Sequence, residues 1–498
     1  MTFAPVTHID TDVAIVGSGF SGSLTALALL KRGHRVALVE RGRHPRFAIG
    51  ESSTPLANLL LEELSTRYEL PQLRPFCKWG PWQQFRPDVA CGLKRGFTFF
   101  FHHAGSEFTD GGDRGRQLLV AASPHDAIAD THWYRPDFDQ ALAEEAHAAG
   151  AVYLDLTRLE GVRHEGGLSI LDGDREGHSL QISARFVIDA SGPHGFLHRA
   201  LRLGEAPHRW LPPTQGLYTH FEDVERWDRL RPTEQTPPYP VDDAAVHHVF
   251  PGGWIWVLRF NNGITSAGAA LTDAAAASIG AADGAAAWTR LLATLPSVAD
   301  QFRRARATVP FFHAPRLAFR SARAAGATWA LLPSAAGVID PLLSTGFPLT
   351  LLGILRLVDV LEHTTPGGER ETALTAYERA TLAELDATER LVAALYATME
   401  DPFLFKRLSL MYFAAASFSE AARRLGRPEL APGFLLSSHP AFGPELAACA
   451  SLAAARPSGS ARLALARRID RAIEPFDTAG LLDPARRHWY PVLPADLL

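Results

Sequence analysis

A glycine-rich turn near the N-terminus has the residue types and spacing of a dinucleotide site. The turn, Gly17-Ser18-Gly19-Phe20-Ser21-Gly22, follows a short apolar run and opens an alanine- and leucine-rich segment. Its first glycine permits a tight bend, its second lets a pyrophosphate approach the backbone, and its third lets a helix pack on a strand. A second apolar run ends in Glu40, whose carboxylate is placed to bind ribose hydroxyls, so FAD or NAD is favoured over NADP. The predicted cofactor contacts are Gly17, Gly19, Phe20, Ser21, Gly22, Glu40 and Arg41.

Two later segments favour FAD over NAD. Residues 186–192 indicate a buried strand that ends in a small-residue turn, and they resemble the strand beneath the adenine half of FAD in flavin hydroxylases. Residues 337–341 resemble the stretch of those enzymes whose aspartate binds the ribityl chain; a helix N-cap is a compatible interpretation of that aspartate. No second glycine turn of this kind occurs, so a tightly bound NAD(P)H is not expected. The contacts implied by these resemblances are Asp189, Gly192, Asp340 and Arg135, the last with a surface arginine as an equal alternative.

Motifs beyond the second strand resemble those of the flavin-dependent halogenases. The run Gly50-Glu51-Ser52-Ser53-Thr54-Pro55 resembles the family's Gly-Glu-Ser motif, and Lys78, 27 residues beyond Glu51, is in the place of the family's lysine. The run Gly253-Trp254-Ile255-Trp256-Val257-Leu258-Arg259-Phe260 and residues 340–346 match two further motifs. The matches extend from about residue 12 to about residue 360.

This resemblance implies a reaction and a role for several residues. Reduced FAD, supplied by a separate reductase, would react with oxygen and oxidise chloride or bromide to hypohalous acid. Lys78 would pass the halogen to an electron-rich aromatic carbon. Glu51, Ser52 and Gly346 would contact the cofactor, and the backbone amides of Thr345 and Gly346 would bind the halide, since amides at a helix start attract anions.

Two lysines compete for the catalytic role. Lys78 could be an ordinary solvated charge, but the neighbouring rings of Phe76, Trp79 and Trp82 indicate a partly buried segment. Lys94, followed directly by an arginine, is interpreted as part of a solvated turn before an aromatic strand. We therefore predict Lys78 as the catalytic residue.

The double tryptophan belongs to an alternating strand. Trp254 and Trp256 share one face, and the resemblance implies that they line a passage between flavin and substrate; a plain sheet core is the alternative. The family's Ile-Pro pair is Leu258-Arg259 here, which keeps open a halogenase-like monooxygenase that hydroxylates an aromatic group. Tryptophan halogenases carry a glutamate where this chain has Leu343. The expected substrate is therefore phenolic or pyrrolic, free or bound to a carrier.

Composition limits the remaining classes of function. The chain has 498 residues, is 47% hydrophobic and carries a formal net charge of −5, so it is expected to be globular and not to bind nucleic acid. Three cysteines without metal spacing fit a reducing cytoplasm, and neither a signal peptide nor a membrane span is indicated. Histidine pairs at 102–103 and 247–248 lack further ligands, so no metal site is predicted. A flavin-binding protein with a decayed site is a third hypothesis, opposed by the retained motifs.

The predicted fold class is α/β, with a Rossmann-like FAD-binding domain, an antiparallel β-sheet substrate region and a mostly helical C-terminal region. Residues 1–350 form the FAD-binding module, with the substrate-side sheet at about 76–134 and 205–325. Residues 351–498 form the helical region, where apolar spacing indicates helices over 349–362, 371–399, 403–425 and 458–473. The oligomeric state is expected to be monomer or homodimer.

Overall fold

A computed structural model describes residues 6–110 and 112–492 of the chain. The helices are α1 Phe20–Lys31, α2 Pro55–Arg67, α3 Trp79–Phe85, α4 Arg135–Ala148, α5 Phe196–Ala200, α6 Trp227–Leu230, α7 Asp273–Ile279, α8 Ala285–Ala293, α9 Pro296–Gln301, α10 Pro333–Ala336, α11 Gly346–His363, α12 Gly368–Ala397, α13 Pro402–Arg424, α14 Phe442–Ala454 and α15 Gly459–Ile473. The strands are β1 Thr7–Val16, β2 Val36–Val39, β3 Cys91–Lys94, β4 Gly96–Phe101, β5 Gln117–Ala121, β6 Asp130–Trp133, β7 Val152–Leu154, β8 Thr157–Glu165, β9 Leu168–Arg175, β10 His178–Asp189, β11 Thr214–Glu222, β12 Ala245–Phe250, β13 Gly253–Arg259, β14 Thr265–Thr272, β15 Arg306–Ala307, β16 Phe312–Ala314, β17 Phe319–Arg320, β18 Ala325–Gly326, β19 Trp329–Leu331, β20 Gly337–Val338 and β21 Trp489–Tyr490.

The first sheet is the predicted nucleotide-binding unit. Strands β19, β10, β1, β2 and β7 pair in parallel in that order, and β8, β9 and β18 add antiparallel pairs. Val13, Ala14 and Ile15 of β1 are all buried, because a parallel strand is covered on both faces. The turn from β1 into α1 therefore lies at the carboxyl end of a parallel strand, where open α/β sheets bind their ligands.

The second sheet has nine strands and confirms the predicted antiparallel sheet, whereas its position on the substrate side stays a prediction. Strands β11, β14, β13 and β12 are antiparallel neighbours, and β4 joins β12 in parallel. Along β13, Trp254 and Trp256 belong to the core shared with the nucleotide sheet, whereas Ile255 and Val257 belong to a second core on the opposite face. Gly263, with φ of 84°, makes the predicted reversal between β13 and β14.

Helices dominate the chain beyond residue 350, as predicted. The four predicted helices correspond to α11, α12, α13 and α15, and α14 is an additional helix between the last two. Tyr396 of α12 and Phe405 of α13 pack in the same core as the nucleotide sheet. The proposed division between residues 350 and 351 falls inside α11, so this helix is common to both parts; the division itself stays a prediction.

One stretch of the described chain, Leu342–His363, is long and apolar enough to span a membrane by length and composition alone. Within the protein 67% of its most apolar window is buried. Such burial is typical of a core helix, and α11 indeed packs against α1, α2, α10 and α12.

Candidate active site

The turn between β1 and α1 requires its glycines. Gly17 has φ of 101°, a region in which other residues are strained. A side-chain Cβ on Gly22 would lie 1.8 Å from the carbonyl oxygen of Gly17, so only glycine lets α1 begin this close to β1. Gly19 is the N-cap of α1 and has no side chain to close off the first turn of the helix. This open, positively polarised backbone fits the pyrophosphate of a dinucleotide.

Glu40 lies beside this turn, directly after β2. Its carboxylate accepts hydrogen bonds from the backbone amides of Ser18 at 3.1 Å and Gly42 at 2.9 Å. Burial raises the pKa of Glu40, but Arg46 and these amides lower it more, so the net pKa lies below the ordinary value. The group is therefore a carboxylate at neutral pH, as binding of ribose hydroxyls requires. The predicted contact Arg41 has an exposed side chain, and its role stays a prediction.

Arg135 connects the glycine turn with the Gly-Glu-Ser loop. Its guanidinium pairs with Asp139 at 2.7 Å, lies 4.9 Å from the ring centre of Phe20 and donates to the carbonyl oxygen of Gly50 at 2.9 Å. Asp139 also accepts a hydrogen bond from the backbone amide of Phe20 at 3.1 Å. Arg135 is thus a buried residue of the site and not a surface arginine; direct contact with FAD stays a prediction.

Asp189 shapes the turn at the end of β10. It is fully buried, and its carboxylate accepts hydrogen bonds from the amides of Ser191 at 2.8 Å and Leu197 at 2.6 Å. Burial raises the pKa of Asp189, although these hydrogen bonds oppose the change. Gly192, with φ of 87°, completes the turn. Because its oxygens are occupied, Asp189 positions the backbone of this turn, and a contact of its own with the cofactor stays a prediction.

Asp340 joins three distant parts of the chain. One carboxylate oxygen accepts hydrogen bonds from the Leu342 amide at 3.0 Å and from the Trp254 indole at 3.3 Å. The other accepts from the Tyr396 hydroxyl of α12 at 2.8 Å. Burial raises the pKa of Asp340 to about 6. The predicted ribityl contact and the first predicted tunnel residue are therefore direct neighbours.

The loop before α11 has a strained backbone. Leu343 and Ser344 have φ of 65° and 55°, which residues with side chains rarely adopt. Thr345 is buried and is the N-cap of α11, and Gly346 begins the helix with an exposed backbone. A left-handed residue followed by helical ones turns successive amides toward one point, which makes a concave anion site. Strain of this kind is concentrated at functional sites.

The tryptophan face of the second sheet consists of three rows of side chains. Trp254, Trp256 and Leu258 alternate along β13 and each belongs to a separate row. His247 lies opposite Trp256, and Ser266 lies opposite Leu258. Because a strand rises about 3.3 Å per residue, the Trp254 row, which contacts Asp340, is about 13 Å from the Leu258 row. Trp256 and His247 cover the sheet between these two ends.

Lys94 lies at the Leu258 end of this face, and the expectation of a solvated turn is wrong. Its side chain has no exposed surface. The ammonium donates to the hydroxyl of Ser52 at 2.8 Å and to the carbonyl oxygen of Ser53, and it lies 3.8 Å from the ring centre of Phe97. Burial lowers the pKa of Lys94 to about 7, and the nearby Asp130 opposes this change.

Lys78, the predicted catalytic residue, has a different environment. It is the N-cap of α3, its side chain is 21% exposed, and its ammonium lies 3.1 Å from the carboxylate of Asp130. Burial lowers the pKa of Lys78, but Asp130 raises it more, so the net pKa lies above the ordinary value. Lys78 is thus a cation paired with a buried acid, whereas Lys94 is a buried amine whose pKa lies close to neutral pH.

The ribbon of β3 and β6 carries further polar groups on the Lys94 face. Asp130 lies opposite Lys94, and His132, two residues along β6, lies opposite Gly92, so all share one face. His132 is fully buried, and neither ring nitrogen has a hydrogen-bond partner in the described chain. Burial, with the charge of Lys94, lowers the pKa of His132 well below its ordinary value, so the ring is neutral.

Arg259 does not open the passage, contrary to the interpretation of the Leu258-Arg259 pair. It points to the opposite face from Trp254, pairs with the buried carboxylate of Asp242 at 3.0 Å and donates to the carbonyl oxygen of Val224 at 2.8 Å. Arg259 therefore stabilises the sheet from the face opposite the tryptophans. It lines, with Phe260 and Asp242, a cavity of about 470 Å³ at the end of the hairpin.

Known proteins that are similar to this chain define its class. The family described as FAD dependent oxidoreductase matches residues 12–346, more than half of the chain, and the chain belongs to this class of FAD enzymes. FAD is accordingly its cofactor. The fold agrees: a crystal structure of halogenase PltM in complex with phloroglucinol and FAD superposes with a TM-score of 0.84 at 24% identity, over 96% of this chain and 99% of that chain.

Individual relatives narrow the class. Tetracycline 7-halogenase of Kitasatospora aureofaciens is 31% identical over 350 residues, which cover 68% of this chain and 61% of that protein. Monodechloroaminopyrrolnitrin halogenase PrnC of Pseudomonas fluorescens is 30% identical over 408 residues, which cover 78% of this chain and 68% of that protein. The chain is thus a member of the flavin-dependent halogenase family, as its motifs predict.

Sequence reasoning missed several residues of the site. His132, His220 and Tyr396 were not predicted, and Lys94 was considered only as the competitor of Lys78; each comes close to a motif residue only through sheet register or helix docking. One local signal was present for Lys94: it ends the short strand β3, two residues before the phenylalanine-rich strand β4, where a solvated charge is out of place. Within the described chain, His194, His198 and Glu205 have ligand atoms within 4.8 Å of one another, a spacing that the prediction of no metal site did not anticipate.

Proposed function

We propose that the protein is a flavin-dependent halogenase that uses reduced FAD, oxygen and chloride or bromide to halogenate an electron-rich aromatic carbon. The observation that carries this proposal is the buried amine of Lys94, held by the Gly-Glu-Ser loop at one end of a tryptophan-covered sheet face whose other end contacts Asp340. The halogenase relatives support the same reaction. A separate reductase would supply the reduced flavin, and the protein would act in the cytoplasm as a monomer or homodimer.

The residues around the glycine turn would hold the cofactor. Gly17 and Gly22 let the turn bend and α1 pack on β1, Gly19 would let the pyrophosphate approach the backbone, and the Glu40 carboxylate would bind the ribose. Asp340 would contact the ribityl chain. When bound and reduced, FAD supplies the electrons and oxygen activation that convert a halide into an electrophilic halogen. The amides around residues 345–346 would hold the halide beside that end of the passage.

We assign the reactive amine to Lys94 in place of Lys78. An amine takes up an electrophilic halogen through its lone pair, so it must be neutral for part of the time. With a pKa of about 7, about half of the Lys94 side chains are neutral at neutral pH, compared with about one in 10³ for an exposed lysine. Lys78 stays charged because Asp130 holds its ammonium. The dry surroundings of Lys94 also exclude water, which would otherwise consume the oxidised halogen.

The passage would separate the two halves of the reaction. Hypohalous acid would move over the Trp256 and His247 row, and the same row would keep the larger aromatic substrate away from the flavin. Confinement fixes the orientation of the halogen donor relative to the substrate. The substrate would be phenolic or pyrrolic, free or bound to a carrier, because Leu343 replaces the acid that assists less reactive rings.

The test supplies purified protein with FAD, NADH, a flavin reductase, oxygen and bromide, and analyses a panel of phenols and pyrroles by mass spectrometry. We expect brominated product from the wild type and none from Lys94→Met, with Lys78→Met still active. Product from Lys94→Met but not from Lys78→Met would return the amine to Lys78. Hydroxylated product without bromine would replace halogenation by monooxygenation, the second candidate, which Arg259 no longer favours.

A further inference from the structure

Glu51 and His220 form a buried pair beside Lys94. His220 Nε2 lies 2.8 Å from Glu51 Oε1, and the two side chains are 2% and 0% exposed. Glu51 directly precedes Ser52, whose hydroxyl accepts a hydrogen bond from the Lys94 ammonium at 2.8 Å. Consecutive residues of one loop therefore hold an imidazole and a reactive amine.

The carboxylate of Glu51 determines which nitrogen of His220 is free. An ionised carboxylate only accepts hydrogen bonds, so Nε2 carries the proton and Nδ1 presents a lone pair. Within the described residues, Nδ1 has no hydrogen-bond partner. A carboxylate that orients an imidazole and leaves its second nitrogen free is the arrangement of a general base.

Aromatic rings lead from His220 to the surface. The Phe47 ring lies 4.8 Å from the His220 ring and stacks on Phe312 at 4.5 Å with an interplanar angle of 6°. Phe312 is 38% exposed. On the other side, Tyr134 lies 5.5 Å from His220. Flat rings of this kind suit an aromatic ligand, which can stack on them on its way to the imidazole.

We propose that the Glu51–His220 pair removes the proton from the hydroxyl of a phenolic substrate. The O–H bond breaks, the proton bonds to Nδ1, and the electron pair stays on the phenolate oxygen, which shares it with the ring. The ring carbon then bonds to the halogen as the bond between the halogen and the Lys94 nitrogen breaks, and that nitrogen takes back the proton held on His220, whose charge Glu51 balances in the meantime. The proton on the halogenated carbon moves to the substrate oxygen, which restores the aromatic phenol. This inference rests on the proposed halogenase function. It narrows the substrate to phenols, because a pyrrole N–H is too weak an acid for imidazole.

The experiment compares 3-methoxyphenol, which has the hydroxyl, with 1,3-dimethoxybenzene, which lacks it. Both are offered to the holoenzyme with FAD, NADH, a flavin reductase and bromide. We expect His220→Gln to lower bromination of 3-methoxyphenol about 100-fold at neutral pH, in the range of general-base catalysis, and to leave 1,3-dimethoxybenzene unchanged. Glu51→Gln is expected to act in the same direction. His102→Gln, at a buried histidine bonded to His248 at 3.0 Å, is the matched control.

The pH profile separates catalysis from structure. The rate of His220→Gln relative to wild type should recover as pH approaches the pKa of the phenol itself, about 10, because solution then supplies the phenolate. Taking the ratio removes the titration of Lys94; among the described residues, Tyr134, Tyr218 and His132 are further titratable groups near the pair. Equal loss with both probes, or a ratio that does not change with pH, would overturn the role of the pair. Absence of bromination by wild type would instead overturn the proposed function.

Discussion

Replacing Lys94 by methionine is expected to abolish halogenation without weakening the fold. Methionine keeps most of the length of the side chain and removes the charge. Burial lowers the pKa of Lys94 from its ordinary value of 10.5 to about 7. For the charged form this difference corresponds to about 4–5 kcal/mol of unfavourable free energy in the folded protein. The charged form of Lys94 therefore lowers the stability of the folded protein, as strongly shifted groups at functional sites often do.

The sign of the pH dependence follows from the two pKa values of Lys94. The folded value lies below the unfolded one, so between about pH 7 and 10.5 the unfolded chain binds more protons and stability rises with pH. Below about pH 7 Lys94 is protonated in both the folded and the unfolded chain, so the full unfavourable free energy of the buried charge is present. At about pH 6, Lys94→Met removes this cost but also loses the hydrogen bonds to Ser52 and Ser53. The expected net change is a gain in the free energy of unfolding of about 1–4 kcal/mol.

Lys78→Met is the matched control, with the opposite expectation. Its ammonium is paired with Asp130, whose carboxylate has no exposed surface. Removing the cation leaves a buried charge with Asn58 as its remaining hydrogen-bond donor, which costs about 3–5 kcal/mol for such pairs. Urea unfolding at about pH 6 with excess FAD, followed by tryptophan fluorescence, measures both variants. The reasoning fails if Lys94→Met is destabilised as much as Lys78→Met, or if it still brominates.

Three further predictions concern the pH dependence of bromination, the affinity for FAD and the structural role of Arg259. Initial rates of bromination should fall about tenfold per pH unit below about pH 7, because only the neutral amine of Lys94 reacts. Glu40→Ala should weaken FAD binding about 10- to 100-fold in a flavin-fluorescence titration, since hydrogen bonds to a charged group are lost, while the exposed Glu62→Ala should not. Arg259→Met should lower the free energy of unfolding in urea by about 3–5 kcal/mol by leaving Asp242 unpaired, and mass spectra should still show bromine without hydroxylation.

A different result would contradict each of these three predictions. A flat rate between about pH 5 and 8 would mean that Lys94 does not titrate in the working range. Equal FAD affinity for Glu40→Ala and wild type would remove the carboxylate from the ribose site. Hydroxylated product from Arg259→Met would show that Arg259 does control the passage between flavin and substrate.

Sequence patterns were sufficient where the structure is local. The turn at Gly17 and Gly22, the strand–turn–helix order and the β13 to β14 reversal at Gly263 all depend on residues within a few positions of one another. The apolar spacing that predicts the helices beyond residue 350 is local in the same sense. Among the described residues beyond 350, the helix that was missed, Phe442–Ala454, is rich in alanine and buries only a narrow face, so its apolar pattern is weak.

The choice between the two lysines could not be made from local patterns. Both are near large apolar rings, and both ammonium groups lie near the same acid, Asp130. What separates them is the register of β3 against β6 and the approach of Ser52 to that ribbon. These contacts join positions about 40 residues apart. The charge in Lys94-Arg95 suggested solvent, because sequence shows a charge but not the burial that surrounds it.

Asp340 shows why the C-terminal helices belong to the site. A fully buried carboxylate is costly unless each oxygen is hydrogen-bonded, and here one oxygen is bonded by Trp254 from the sheet and the other by Tyr396 from α12. Without α12 that second oxygen would be unsatisfied, and the strained loop before α11 would lose a support on its flank. The sheet, the loop and the helices therefore fix one another at the point where flavin and halide would meet. In this arrangement Trp254 and Trp256 are hydrogen-bond donors, to Asp340 and to the hydroxyl of Ser266, and their lining of a passage stays a prediction.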